Sequence, residues 1–299
     1  MTVDMVIGAS VLAATLRLAA PILLAALGGV ISERAGVVNI ALEGSMLVGA
    51  FVGIVAAEQT DSIVIGVAAA FIAGTLLAGI HAIAAIHWRS DQIVSGMALN
   101  ILALGLTSYL NFQLYGTTGT PADVPDLPTV ADQSILVWVS LALVPLTHLF
   151  LFGTVSGLRL RAVGEHPRAA ETVGIGVRRV RYAAVLASGA LAGLGGAYLS
   201  LSVAHSFTDG MTAGRGFIGL AAVIFGKWSP IGALVAALLF GYGNALSTSL
   251  QGATIGDTRV PVQLLGTLPY LLTILAVAGF VGRSRPPAAD GVPYEKEGH

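Results

Sequence analysis

Apolar residues run along this chain in long blocks separated by short polar or glycine-rich interruptions, without the alternation that marks a half-buried strand. The blocks fall near 6–30, 37–57, 63–86, 93–115, 135–152, 183–203, 217–225, 231–246 and 262–281. Most reach the roughly 20 residues that a helix needs to cross a bilayer. The pattern predicts an all-α, polytopic helical membrane protein of about nine spans, because without strand-like alternation a closed barrel has no support. The prediction takes 1–285 as a single transmembrane domain. The remainder, 286–299, is rich in Pro, Gly and charge and is expected to be a disordered cytoplasmic tail.

Composition agrees: 55% of residues are hydrophobic and 10% charged, against about 25% charged in a soluble domain. The chain has no cysteine, which excludes disulfides, thiolate metal sites and a cysteine nucleophile. Met1 to Asp4 lacks the basic region of a secretory signal, so the first span is expected to be retained. Six of the 15 Lys and Arg residues lie between Gly157 and Arg181. If that loop, 156–182, is cytoplasmic, alternation puts 12 basic residues inside and leaves Arg215 and Arg259 outside, with Arg17 in the first span. The N-terminus is then outside and the C-terminus cytoplasmic. Glu58, Asp61, Asp123, Asp126 and Asp132 fall on the outer face, where the Pro-rich segment from Thr120 to Pro128 reads as an external loop.

Two segments break the simple pattern. The block at 217–225 is too short to cross about 30 Å of hydrocarbon and sits between Gly214 and Gly226, as a half-helix or re-entrant segment would. Its counterpart is the stretch from Ser32 to Gly44, where Gly36 and Gly44 bracket polar residues. Paired interrupted segments are expected of transporters with inverted repeats, whose solute paths lie near broken helices. Asn39, Glu43, Asn100, Asn111 and Asn244 fall inside apolar blocks, where polar groups are costly. One reading makes them the lining of a path for an uncharged, hydrogen-bonding solute, with Asn39 and Glu43 on one helical face. The other gives them packing roles: Asn39 capping a half-helix, Glu43 pairing with Arg34, the remaining Asn residues tying helices together. His81, His148 and His205 lack metal-ligand spacing and read as packing residues. Gly189, Gly193, Gly195 and Gly196 offer a surface for close helix contact.

No phosphate-binding loop is present: the closest approach, ending at Gly226 and Lys227, has Ala221 and Trp228 where a glycine and a hydroxyl belong. Hydrolase motifs are absent too, and nothing points to nucleic acid. In the basic loop, Pro167 starts a short helix that Gly174 stops, with Ala169 and Ala170 expected to face the cytoplasm and a partner.

Gly164-Glu-His-Pro-Arg-Ala-Ala-Glu-Thr-Val-Gly-Ile175 resembles the cytoplasmic coupling loop of ABC importer permeases. Ser32-Glu-Arg-Ala-Gly-Val-Val-Asn-Ile-Ala-Leu-Glu-Gly44, Asp91-Gln-Ile-Val-Ser-Gly-Met-Ala-Leu-Asn-Ile-Leu-Ala-Leu-Gly105 and Gly214-Arg-Gly-Phe-Ile-Gly-Leu-Ala-Ala-Val-Ile-Phe-Gly-Lys-Trp228 look like permeases of the ribose and branched-chain amino acid class, in its nucleoside and simple-sugar subgroup. His166 departs from the Asn common before the Pro. The resemblance implies a multi-pass subunit of a bacterial inner-membrane importer that forms half of the translocation path. Its implied partners are an ATPase subunit that binds the ATP, a second, paralogous permease, and a substrate-binding lipoprotein or periplasmic protein. The permease itself would need no cofactor. Gly164, Glu165, Pro167, Arg168, Ala169, Ala170, Gly174 and Ile175 would couple to the ATPase. The alternative is a secondary transporter in which Glu43 carries a coupling proton.

Overall fold

The computed structural model describes residues 8–117, 119, 124–251, 254–255, 258–259, 262–267, 271 and 284–295. In chain order its helices are α1 (Ala9–Arg34), α2 (Leu42–Thr60), α3 (Ile63–Ala82, prolonged by a wider π turn to His87), α4 (Gln92–Tyr115), α5 (Ile135–Gly153), α6 (Val155–Glu165), α7 (Pro167–Thr172), α8 (Val177–Tyr198, prolonged to Ala204), α9 (Arg215–Phe225), α10 (Pro230–Ser249) and α11 (Val262–Leu265). The described residues also form two short antiparallel hairpins: β1 (Thr129–Val130) with β2 (Gln133–Ser134), and β3 (Thr254–Ile255) with β4 (Thr258–Arg259). Caps fix several helix starts. Asp91 accepts from the amides of Ile93 and Val94, Ser134 from Leu136, Thr154 from Gly157, and Ser229 from Gly232.

Seven of these helices are long and apolar enough to cross a membrane, fewer than the nine spans expected. The block at 217–225 is α9, whose 11 residues cover only about 16 Å. The ninth lies mostly outside the described residues, as do Met1 to Asp4, Asp123, Arg283 and Lys296. The expected loop at 156–182 is two helices, α6 and α7, followed by the first turn of α8.

The centre of the bundle is α8 packed on α1, α2 and α3. Glycine makes that packing possible: a methyl built on Gly49 or Gly74 would lie 2.6 or 2.8 Å from the Gly193 Cα, so three helices meet backbone to backbone. One apolar cluster surrounds Met46, Phe51, Tyr198 and Phe207; a second surrounds Leu23, Leu27, Trp228 and Phe240. At the periphery, α4 buries only a stripe of mostly small and polar residues (Gln92, Gly96, Asn100, Ala103, Thr107 and Asn111, with Leu99) and turns Ile101, Tyr109 and Phe112 outward. That is the inverse of a soluble amphipathic helix and suits hydrocarbon surroundings.

The expected disordered tail is ordered from 286 to 295. Ala289 N–H donates to the Gly164 carbonyl at 2.9 Å, and the buried Arg181 guanidinium donates to the Val292 carbonyl at 2.9 Å. Backbone acceptors meeting a buried cation hold a segment that offers little apolar side-chain area.

Candidate functional site

Between α1 and α2 the chain runs without helical hydrogen bonds, turning at Gly36 with φ of +84°. Peptide groups cannot be left unpaired within a bilayer, and side chains of neighbouring helices serve them. Gln92 Oε1 accepts from Val38 N–H at 2.8 Å and His81 Nε2 lies 3.0 Å from the Val38 carbonyl. Asn100 Nδ2 donates to the Ile40 carbonyl at 3.0 Å while its Oδ1 accepts from Gly44 N–H at 2.8 Å. Gln92, His81 and Asn100 are therefore polar because the backbone beside them is.

A second break precedes α9, where His205, Gly210, Ala213 and Gly214 all have positive φ. Glu43 spans the two breaks. From the first turn of α2 its Oε1 accepts from Gly214 N–H at 2.8 Å and its Oε2 from Gly216 N–H at 2.7 Å. The carboxylate therefore lies at the positive ends of two helices at once, a favourable place for an anion. Gly216 has no side chain because a Cβ there would lie 2.5 Å from the Glu43 Cα. Arg215 turns back onto the carbonyls of Met211 and Thr212, at 3.2 and 3.1 Å.

Beside this junction lies a cavity of about 300 Å³ between α2, α4 and α9, lined by Glu43, Asn100, Leu47, Met97, Thr212 and Phe217 among others. It is at the small end of ligand pockets and mainly apolar, with few polar groups. Of the residues predicted for a solute path, Glu43 and Asn100 meet here. The other three lie elsewhere. Asn39 precedes α2 and faces the opposite way, donating to Ser188 Oγ on α8 at 2.6 Å, so it neither caps α2 nor shares a helical face with Glu43. Asn111 donates to the Thr117 carbonyl at the far end of α4, and Asn244 to the Phe240 carbonyl of its own helix. Nor does Glu43 pair with Arg34, whose Nε donates to the Trp228 carbonyl at 2.7 Å. Gln92 and His81 were not assigned to this region from the sequence, where His81 is a polar residue inside the block at 63–86 and Gln92 stands just before the block at 93–115.

The other predicted residues cluster on the face that carries Arg34 and Lys227. Pro167 opens α7 and Gly174, with φ of +84°, ends it, as expected. Gly164 packs directly on the Arg34 carbonyl, and Glu165 accepts from Ala288 N–H at 3.1 Å. Arg168 and Ala169 are exposed and Ile175 is partly buried. Ala170 departs from expectation: it is 4% exposed, packed with Val163, Val177 and Tyr294, because the opposite side of a one-and-a-half-turn helix must rest on α6 and α8. The end of α1 ties this face to α9: Trp228 Nε1 donates to the buried Glu33 carboxylate. Outside the spans, burial raises the Asp290 carboxyl to about 7, with Arg181 and the Gly291 amide pulling the other way. Among the described residues no cluster of His, Asp and Glu could hold a metal ion.

The family described as "Branched-chain amino acid transport system / permease component" matches residues 11–277. The chain belongs to this permease family. It is a transport subunit, and not itself an enzyme. It is 44% identical to the guanosine ABC transporter permease protein NupQ of Bacillus subtilis, over 95% of each chain. It is 37% identical to the nucleoside ABC transporter permease protein NupC of Lactococcus lactis, over 92% of this chain and 93% of that one. With the putative glucose ABC transporter permease protein TsgC13 of Haloferax volcanii it shares 36%, over 92% and 93%. The first two organisms each have a second, more distant relative, NupP at 27% and NupB at 24% identity.

Proposed function

We propose that this protein is the membrane-embedded permease subunit of a bacterial ABC importer for nucleosides, with simple sugars as the next solute class. The observation that carries the solute reading is the junction at Glu43. Two helix N-termini, each equivalent to about +0.5 charge, offset one carboxylate, so the wall of the cavity is close to neutral. A mainly apolar cavity with a neutral polar wall suits an uncharged solute with an apolar ring and hydrogen-bonding edges. Glu43 and Asn100 form that wall; Asn39, Asn111 and Asn244 support the surrounding helices. Both carboxylate oxygens of Glu43 are engaged by α9 amides, which supports a holding role for this residue.

In this reading the N-terminus is outside and the α6–α7 face is cytoplasmic, so 12 of the basic residues lie inside. The full span count is about nine with α9 as a half-helix, and the two interrupted segments are counterparts in an inverted repeat. A second, paralogous permease supplies the other half of the path, a pairing supported by the NupQ–NupP and NupC–NupB pairs. A cytoplasmic ATPase docks on Gly164 to Ile175, and a lipoprotein or periplasmic binding protein delivers solute. Closure of the ATPase displaces α7; the contact of Gly164 with the end of α1, and of Glu33 and Arg34 with Trp228, passes the displacement to α9 and so to the cavity. Such coupling requires only that docking differ in free energy between the inward- and outward-open states. The test is ATP hydrolysis by the assembled complex with a panel of solutes on its binding protein. Stimulation by nucleosides above pentoses and branched-chain amino acids supports the assignment; stimulation by an amino acid alone refutes it.

A further inference from the structure

The segment 284–295 returns to the α6–α7 face and is fixed there as a strap. Ala288 and Ala289 donate to Glu165 and to the Gly164 carbonyl, and Tyr294 donates to Glu171 on α7. Arg181 holds the Val292 carbonyl, and Glu295 pairs with Arg89 beyond α3. Between strap and α7 lies an open groove of about 620 Å³, with His166, Pro167 and Ala169 on one wall and Val292, Pro293 and Tyr294 on the other.

We infer that the strap and α7 together form the socket for the ATPase subunit, so that the permease offers its partner a groove and not a single helix. The inference rests on the reading of α7 as the docking helix and adds the strap to it. The groove is continuous with that helix, sharing its exposed residues as one wall. Its other wall is preordered: Val292 is 52% exposed, yet its backbone is fixed by a buried arginine, so docking costs little further ordering entropy. Apolar Val292 stands in the groove beside Arg168 and Glu295, as an apolar anchor within a polar rim does. The exposed Arg159, Arg168, Arg178 and Arg179 outnumber Glu165, Glu171 and Glu295 on this face. The complementary surface is a protein ridge with an apolar side chain flanked by carboxylates.

The absence of cysteine allows a direct footprint. Val292→Cys and Ala169→Cys are made singly, the permease pair is placed in anionic-lipid nanodiscs, and maleimide labelling is timed with and without the ATPase. The socket requires both thiols to react freely in the permease pair, and both to react at least about tenfold more slowly once the ATPase is bound. Unchanged labelling at Val292→Cys with protection at Ala169→Cys removes the strap from the socket and leaves α7 docking intact. Protection at neither position overturns the docking reading as well. A Val292→Cys thiol already blocked before ATPase is added means that lipid or the chain's own end covers the groove, and overturns the inference.

Discussion

Replacing Glu43 by Gln tests whether this residue is a clamp between two broken helices. The amide keeps one oxygen for one α9 amide but points its NH₂ at the other. One charge-assisted bond, about 1.5–3 kcal/mol, is lost, and a buried N–H faces a donor, at about 1–3 kcal/mol. Relaxation recovers part of this, leaving a loss of about 2–4 kcal/mol, so local opening of the α9 N-terminus becomes about 30- to 1,000-fold more favourable. Hydrogen exchange by mass spectrometry on the purified permease pair reads that quantity in peptides covering Gly214 and Gly216. Faster exchange there, with exchange in the middle of α8 unchanged, is the expected result. Wild-type protection at Gly214 and Gly216 would refute the clamp, and loss of uptake without any change in exchange would return Glu43 to a proton-carrying role.

Three further outcomes follow from the packing and charge of the fold. Gly193→Ala drives a methyl into the Ala70 carbonyl and should cost about 1–3 kcal/mol, seen as a lower thermal midpoint of the solubilised permease pair; an unchanged midpoint contradicts the three-helix backbone contact. Because burial raises Asp290 to about 7 from the ordinary 3.8, the docked strap favours the protonated acid. Its attachment is then fully supported below about pH 4 and weakens as pH rises through about 7. Intrinsic-rate-corrected exchange at 288–294 should therefore be faster near pH 8 than near pH 5.5, with the difference removed by Asp290→Asn; the opposite trend defeats the assignment, which includes the facing groups Arg181 and Glu33. Ala170→Asp places a carboxylate among Val163, Val177 and Tyr294 and should reduce assembly of the permease itself, whereas Ala169→Asp should leave assembly intact and release only the ATPase. Identical behaviour of the two in co-purification would show that the faces of α7 are misassigned.

The spans were legible because hydrocarbon imposes length and composition: the apolar blocks at 63–86, 93–115 and 135–152 coincide with α3, α4 and α5 within a residue or two. The shortness of α9 was legible for the same reason. What the intramembrane polar residues do was not. Asn100, Gln92 and His81 serve backbone groups of a break that lies 40 or more positions away in sequence, and no local pattern records which peptide group a carboxamide will meet. Pairing Asn39 with Glu43 failed because helical spacing was applied across a stretch that is not helical. On α7, six residues are too few for periodicity to tell Ala169 from Ala170. The strap was missed because composition registers Pro, Gly and charge but not the buried Arg181 waiting for carbonyl acceptors.

The central claim is ATP-driven, binding-protein-dependent nucleoside uptake. It is tested most directly by reconstituting this chain with the neighbouring permease, ATPase and binding protein in liposomes and timing the entry of labelled nucleosides and pentoses. The account predicts nucleoside uptake that requires both ATP and the binding protein and that ends when the ATPase is omitted. Uptake driven by an imposed proton gradient with no ATP present would contradict it.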